Sequence, residues 1–264
     1  MFGIATPFCG ILTNRQYFRK GEIQINISGP ELKATARRLI SENAPKVFFV
    51  SIIYIVIITV VAELQIRLPG VAFAWEQFLE RLYARELPGF GTLFSFFRPS
   101  GAALAFVLML MLPVIEAGYM SYCLKINREQ GGEYKDILDG FLFFLKILLI
   151  SIITAFFTIL WSLLFIIPGI VASLRYSQAI YILLDDPGKS AMQCIRESKS
   201  LMAGHKLELF LVNFSFIGWM FVNYVVILLL PLPFSFPVIS IWLTPYMGLT
   251  HAAYYDKLIG RLVV

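Results

Sequence analysis

The chain has 264 residues, of which 58% are hydrophobic, 15% aromatic and 15% charged, with a mean hydropathy of +0.76 and a net charge of +5. Soluble globular domains carry about a quarter charged residues, so this composition excludes that class and describes an integral membrane protein, an all-α helical bundle. The positive balance calls for no nucleic-acid partner, because the basic residues cluster where anionic lipid headgroups meet a membrane protein.

Residues 1–27 read as a cytoplasmic arm or a wrongly assigned start. The first nine are too short for the apolar core of a cleavable signal, and Asn14 to Lys20 is polar. Gly29-Pro30-Glu31 opens a short amphipathic helix, with Leu32, Ala36 and Leu39 on one face and Lys33, Arg37 and Arg38 on the other. From there the apolar residues fall into stretches long enough to cross a hydrocarbon core of about 30 Å. Six spans are expected, at about 46–64, 101–124, 141–165, 168–185, 207–230 and 235–254, within a membrane domain covering 28–264. Tight turns are expected at Ile167-Pro168-Gly169 and from Pro231 to Pro237. The external loop 65–100 interleaves Trp75, Phe78, Leu82 and Tyr83 with charges and reads as a helix resting on the outer surface.

Two further amphipathic pieces precede outgoing spans. A weak one covers Tyr134 to Leu138; a stronger one begins at Asp186-Pro187, stops at Gly204 and repeats Met192, Ile195, Ser198 and Met202 at helical spacing. The chain therefore reads as three units, each an interfacial helix followed by a two-span hairpin. Pro113, Tyr122 and Lys125 share their offsets with Pro245, Tyr254 and Lys257, and Tyr181 takes the tyrosine place in the fourth span. The tyrosines are expected to form an inner aromatic belt. Outside the spans, sixteen Lys and Arg residues fall on the side of the termini and four on the other, which places both termini in the cytoplasm. Cys9, Cys123 and Cys194 then lie on the reducing side, without metal or redox spacing.

Candidate site residues are few. Six positions before the tyrosines stand Glu116 and Arg175, about 9 Å deeper, where an ionisable group is costly and faces a bundle interior or a cavity. The expectation is that they pair, either as a register-fixing ion pair or as a contact on a solute or proton path. Lys146 and Glu208 read as interface residues. Gly169, Ser173 and Ser177 form a small-residue face for helix packing, and Asn213, Ser215 and Asn223 are candidates for interhelical hydrogen bonds. His205, Glu208 and His251 gather near the cytoplasmic boundary, where a metal or acid–base cluster competes with a plain solvated boundary; two ligands at helical spacing lack an indicated third. No metal and no cofactor is expected. Phosphate-loop, zinc-protease and nucleophile-elbow motifs do not occur in the sequence, so no catalytic residue and no enzyme activity is expected. The sequons Asn26-Ile27-Ser28 and Asn213-Phe214-Ser215 fall in the arm and within a span, where glycans are not added.

Ile167 to Ile170 (IPGI), Tyr176, Asp186-Pro187, SKSLMAGHKLELF at 198–210 and FSFIGW at 214–219 resemble the bacterial membrane family catalogued as domain of unknown function nine hundred and seventy-five, over about residues 31–260. The resemblance implies a multi-pass inner-membrane architecture and no catalytic residues. That family is distantly similar to the membrane domains fused to some glycerophosphodiester phosphodiesterases, which hints at work near lipids. Two function classes stand at this point. One is a non-catalytic module, partner to an unknown membrane protein in an envelope complex. The other is a small transporter or lipid-handling protein with Glu116, Arg175, Asn213 and Asn223 around a polar cavity.

Overall fold

The computed structural model describes residues 28–67, 99–229 and 237–261. Among them every regular element is helical: α1 (Gly29–Glu42), α2 (Lys46–Arg67), α3 (Pro99–Asn127), a 3-10 turn (Tyr134–Leu138), α4 (Asp139–Leu142), α5 (Phe144–Leu164), α6 (Ile166–Tyr176), α7 (Ala179–Asp185), α8 (Ala191–Leu201), α9 (Lys206–Leu229) and α10 (Ser240–Leu258). The N-terminal arm, most of the loop 65–100 that was expected to be external, including Trp75, Phe78, Leu82 and Tyr83, and the turn from Pro231 lie outside the described residues.

Five helical stretches among the described residues are long and apolar enough to cross a membrane: Lys46–Leu64, Phe106–Asn127, Phe144–Leu164, Ile166–Asp185 and Lys206–Val226. Their outward faces carry large apolar side chains, such as Phe49, Phe156, Leu163 and Phe221, which is the surface a protein shows to hydrocarbon. The protein is a membrane helical bundle.

The sixth expected span behaves differently. α10 does not reach the apolarity of the other five, because it is wrapped in protein: Leu243, Tyr246, Leu249, Thr250, Ala253, Tyr254, Tyr255 and Asp256 are all buried. A helix shielded from lipid by its neighbours can carry Thr, His and Asp at no cost in exposure to hydrocarbon. It runs antiparallel to α9, with the Tyr254 hydroxyl donating to the His205 carbonyl at 2.8 Å near one end and Trp242 packed on Trp219 with centroids 5.5 Å apart near the other.

The fourth span is broken. α6 ends at Tyr176 and α7 begins at Ala179. The turn before it is tighter than expected, a single extended residue, Phe165, so that Pro168 sits in the first turn of α6, where the missing N–H costs nothing. Gly169 is inside the helix and faces α5: a Cβ there would come within 1.9 Å of the Ser162 Oγ. The small residue serves packing between two successive helices.

The amphipathic elements order the bundle. α1 begins as the sequence indicates, with Ser28 accepting from the Glu31 N–H and Leu32, Ala36, Leu39 and Ile40 buried. α8 begins later than Asp186-Pro187. Ser190 and Gln193 form a capping box, while Asp186 closes a short turn onto the Gly188 N–H. The buried face of α8 is Ala191, Cys194, Ile195 and Ser198; Met192 points out. Three returning helices each pack on the amphipathic element of the next unit: α3 on the 3-10 turn and α4, α7 on α8, and α10 back on α1. The three units thus close into a ring. Tyr122, Tyr181 and Tyr254 are buried inside it. The expected aromatic belt is therefore a tyrosine core, because the amphipathic elements cover the positions that would otherwise meet headgroups.

Candidate functional site

The ends of the returning helices converge on one guanidinium. Arg128, just beyond α3, donates from Nη2 to Asp256 Oδ1 at 2.6 Å, from Nε to the same oxygen at 3.0 Å, and from Nη1 to Asp185 Oδ1 at 2.8 Å. Asp256 is near the end of α10 and Asp185 ends α7, so a single side chain ties all three units. Asn127 Nδ2 donates to the second Asp256 oxygen at 2.6 Å, and Arg261 Nη1 donates to Asp185 at 2.8 Å. The Asp256 side chain is only 2% exposed, against 15% for Arg128. Burial disfavours the Arg128 charge, but the hydrogen bonds and attraction from Asp256 and Asp185 outweigh it, and its pKa is raised. Two cations against two anions leave the hub neutral.

Matched lysines fasten the amphipathic elements. Lys125 Nζ lies 2.7 Å from Asp136 and 2.6 Å from Asp139, in the 3-10 turn and α4. Lys257, at the equivalent offset, donates to Glu31 in the first turn of α1 at 2.7 Å. At the third junction a serine replaces the ion pair. Ser198 of α8, fully buried, accepts the Gln178 N–H at 3.2 Å and donates to the Arg175 carbonyl at 2.9 Å. Both groups are backbone freed by the break between α6 and α7, so the hydroxyl completes the ladder that the break interrupts.

The expected pair does not form. Among the described residues no ion pair joins Glu116 to Arg175, and neither has a salt-bridge partner. Equal depth fixed only one coordinate, and the break two residues after Arg175 resets the register of the chain that follows. Glu116 is exposed on α3, about 18 Å along the helix from Arg128, within electrostatic range of the Tyr54 and Tyr181 rings.

The histidines also separate. His205 Nδ1 meets Glu208 at 2.9 Å, whereas His251 Nε2 donates to Asn213 Oδ1 at 2.7 Å, joining α10 to α9. Among the described residues no group of three or more His, Cys, Asp or Glu side chains could hold a metal ion. Of the other polar candidates, the Ser215 hydroxyl donates to the Val212 carbonyl of its own helix, and Asn223 Oδ1 is buried with no hydrogen-bond partner. Ser173 and Ser177 each bond back to their own helix, and Ser173 is exposed. Lys146 donates to the Pro187 carbonyl at 2.6 Å. Cys123 and Cys194 are buried free thiols.

In the sequence Arg128 reads only as one of the loop charges. The signal available was that Asp185 and Asp256 are acids at the ends of two spans, which a tally of Lys and Arg alone passes over.

Fold and hub define the class, an all-α membrane bundle with its polar bonds concentrated at one end. Residues 163–261, which run from the end of α5 through α10 and hold Ser198, Asp185 and Asp256, match the model of a family described as "Protein of unknown function (DUF975)". No curated protein and no solved structure matches the chain.

Proposed function

We propose that the protein is a non-catalytic module of the bacterial cytoplasmic membrane, with both termini in the cytoplasm, whose three amphipathic elements form a platform for a partner in an envelope complex. The observation that carries this reading is the ring itself. The Lys125, Lys257 and Ser198 bonds hold the buried sides of these elements against the returning helices, leaving Arg196 and Lys199 of α8 exposed outward. The orientation rests on the sixteen-to-four distribution of Lys and Arg and on α10 crossing beside α9. Anionic headgroups meet the basic rim.

A small transporter or lipid-handling protein is the second reading, and the exposed Glu116 carboxylate favours it. Native mass spectrometry of the protein extracted gently from its own membrane separates the two. The platform reading expects a stoichiometric protein partner that is lost when Arg196 and Lys199 are both changed to Glu. A protein that flies alone with a small solute, lost in Glu116→Gln, would contradict the platform and support transport.

A further inference from the structure

A groove of about 480 Å³ lies between α1 and the first half of α9. α1 contributes Gly29, Lys33 and Arg37 to one wall, and α9 contributes Glu208, Leu211 and Val212 to the other. The two helices run side by side in the same direction. A Cβ on Gly29 would stand 3.6 Å from Val212, and one turn further along both helices Lys33 Nζ lies 4.4 Å from the centroid of the buried Phe216 ring. The groove is therefore apolar near the start of α9 and cationic about 6 Å further on, four residues along the helix.

Nothing in the groove balances the cations. Lys33 and Arg37 are one turn apart on the same side of α1. The two carboxylates of that helix are committed elsewhere, Glu31 to Lys257 and Glu42 to Arg38. Neither Lys33 nor Arg37 has a salt-bridge partner among the described residues. Glu208, on the opposite wall, is turned onto His205 Nδ1 at 2.9 Å. Burial, and then the Arg37 charge, lower the Lys33 pKa, and a bound anion would offset both effects.

The walls narrow the kind of anion. Arg37, Arg38, Ser41 and Glu42 are exposed along α1, a polar face that calls for water rather than hydrocarbon. The groove thus opens to solution on the α1 side. On the α9 side Leu211 is 55% exposed and stands beside Val212, so a bare inorganic ion on the cations would leave that apolar surface wet. A separation of about 6 Å between charge and apolar wall suits a carboxylate joined to a single ring or a short chain. The volume falls in the range of small-molecule sites, about 300–1,000 Å³.

We propose that the groove binds a small water-soluble organic anion, its carboxylate between Lys33 and Arg37 and its apolar body lying back against Leu211 and Val212. The molecule sits charge first, with its apolar end toward the start of α9. This site goes beyond the platform reading and does not depend on it.

The test is equilibrium dialysis of radiolabelled benzoate against the full chain in phosphatidylcholine nanodiscs, with empty nanodiscs subtracted. The wild-type protein is expected to bind benzoate saturably, one per chain, and more tightly than acetate, which has the charge without the body. Lys33→Gln with Arg37→Gln should weaken binding about tenfold or more, as the loss of charge-assisted hydrogen bonds does. The charge-matched pair Arg196→Gln with Lys199→Gln should leave it unchanged. Leu211→Asn, at an exposed position that leaves the core intact, should weaken benzoate and spare acetate. Uptake that never saturates, or equal loss in both charge variants, would reduce the effect to general attraction and overturn the site. Inorganic phosphate or acetate competing as well as benzoate, with Leu211→Asn silent, would overturn the organic body and leave a plain anion site. No protein partner enters the assay, so this proposal can fail without the platform failing.

Discussion

Replacing Arg128 by Ala should cost the protein about 3–5 kcal/mol, the range for removing one partner of a buried ion pair. The loss would appear as a large fall in the thermal unfolding midpoint in mild detergent. The physical reason lies in what is left behind. Asp256, 2% exposed, would keep only the Asn127 amide, and Asp185 would keep Arg261 and the Tyr255 hydroxyl. Two carboxylates would then face each other across the vacated space. Neutralising the remainder should recover much of the loss, so the triple variant Arg128→Met, Asp185→Asn, Asp256→Asn is expected to be more stable than Arg128→Ala alone. The exposed pair of Arg38 and Glu42, 3.8 Å apart with side chains 63% and 53% exposed, is the contrast: Arg38→Ala should change stability by less than about 0.5 kcal/mol. An Arg128→Ala protein as stable as the wild type would show that the hub is incidental.

The second large effect is expected at two glycines that face each other where α3 meets the 3-10 turn and α4. A Cβ on Gly118 would come within 1.7 Å of the Ile137 carbonyl oxygen, and one on Gly140 within 2.0 Å of the Val114 carbonyl oxygen. Both obstacles are backbone, so no rotamer change can clear them; the amphipathic element would have to lift off the helix. Gly140→Ala is therefore expected to sit at or above the upper end of overpacking costs, about 3 kcal/mol. It should also loosen the Lys125 contacts with Asp136 and Asp139, which hydrogen exchange across residues 134–142 would report as faster exchange. Gly218→Ala is the control. Nothing lies within 4 Å of its added methyl, and the better helix propensity of Ala should leave stability unchanged or slightly raised. Equal tolerance at 140 and 218 would contradict the close backbone approach.

Much of this architecture is legible in the sequence because lipid imposes a simple code. Runs of about twenty apolar residues mark the five clear spans, and Gly29-Pro30-Glu31 marks the start of α1. The shared offsets of Lys125 and Lys257 also carry physical content, since both side chains bind an acid on an amphipathic element. What escaped is what depends on neighbours. The sixth span expected at 235–254 is met by α10, but not its burial: the helix is more polar than the other five and is surrounded by protein rather than lipid. The break at Ser177 and Gln178 leaves no Pro or Gly as a marker; it is sustained by Ser198, twenty residues further on. The pairing of Glu116 with Arg175 assumed continuous helices and a known azimuth, neither of which periodicity supplies. His251 met Asn213 rather than His205, a choice set by how α9 and α10 rotate against each other.

The central claim is that the amphipathic elements form one platform on the cytoplasmic side. Single cysteines at Arg38, Lys135 and Arg196, one exposed position on each element, test it in cells with a membrane-impermeant maleimide. The background carries Cys9→Ala, and the buried Cys123 and Cys194 are expected to stay silent. All three positions should resist the reagent in intact cells and react together once the membrane is permeabilised. Labelling of any one in intact cells would put that element on the opposite face and break the ring.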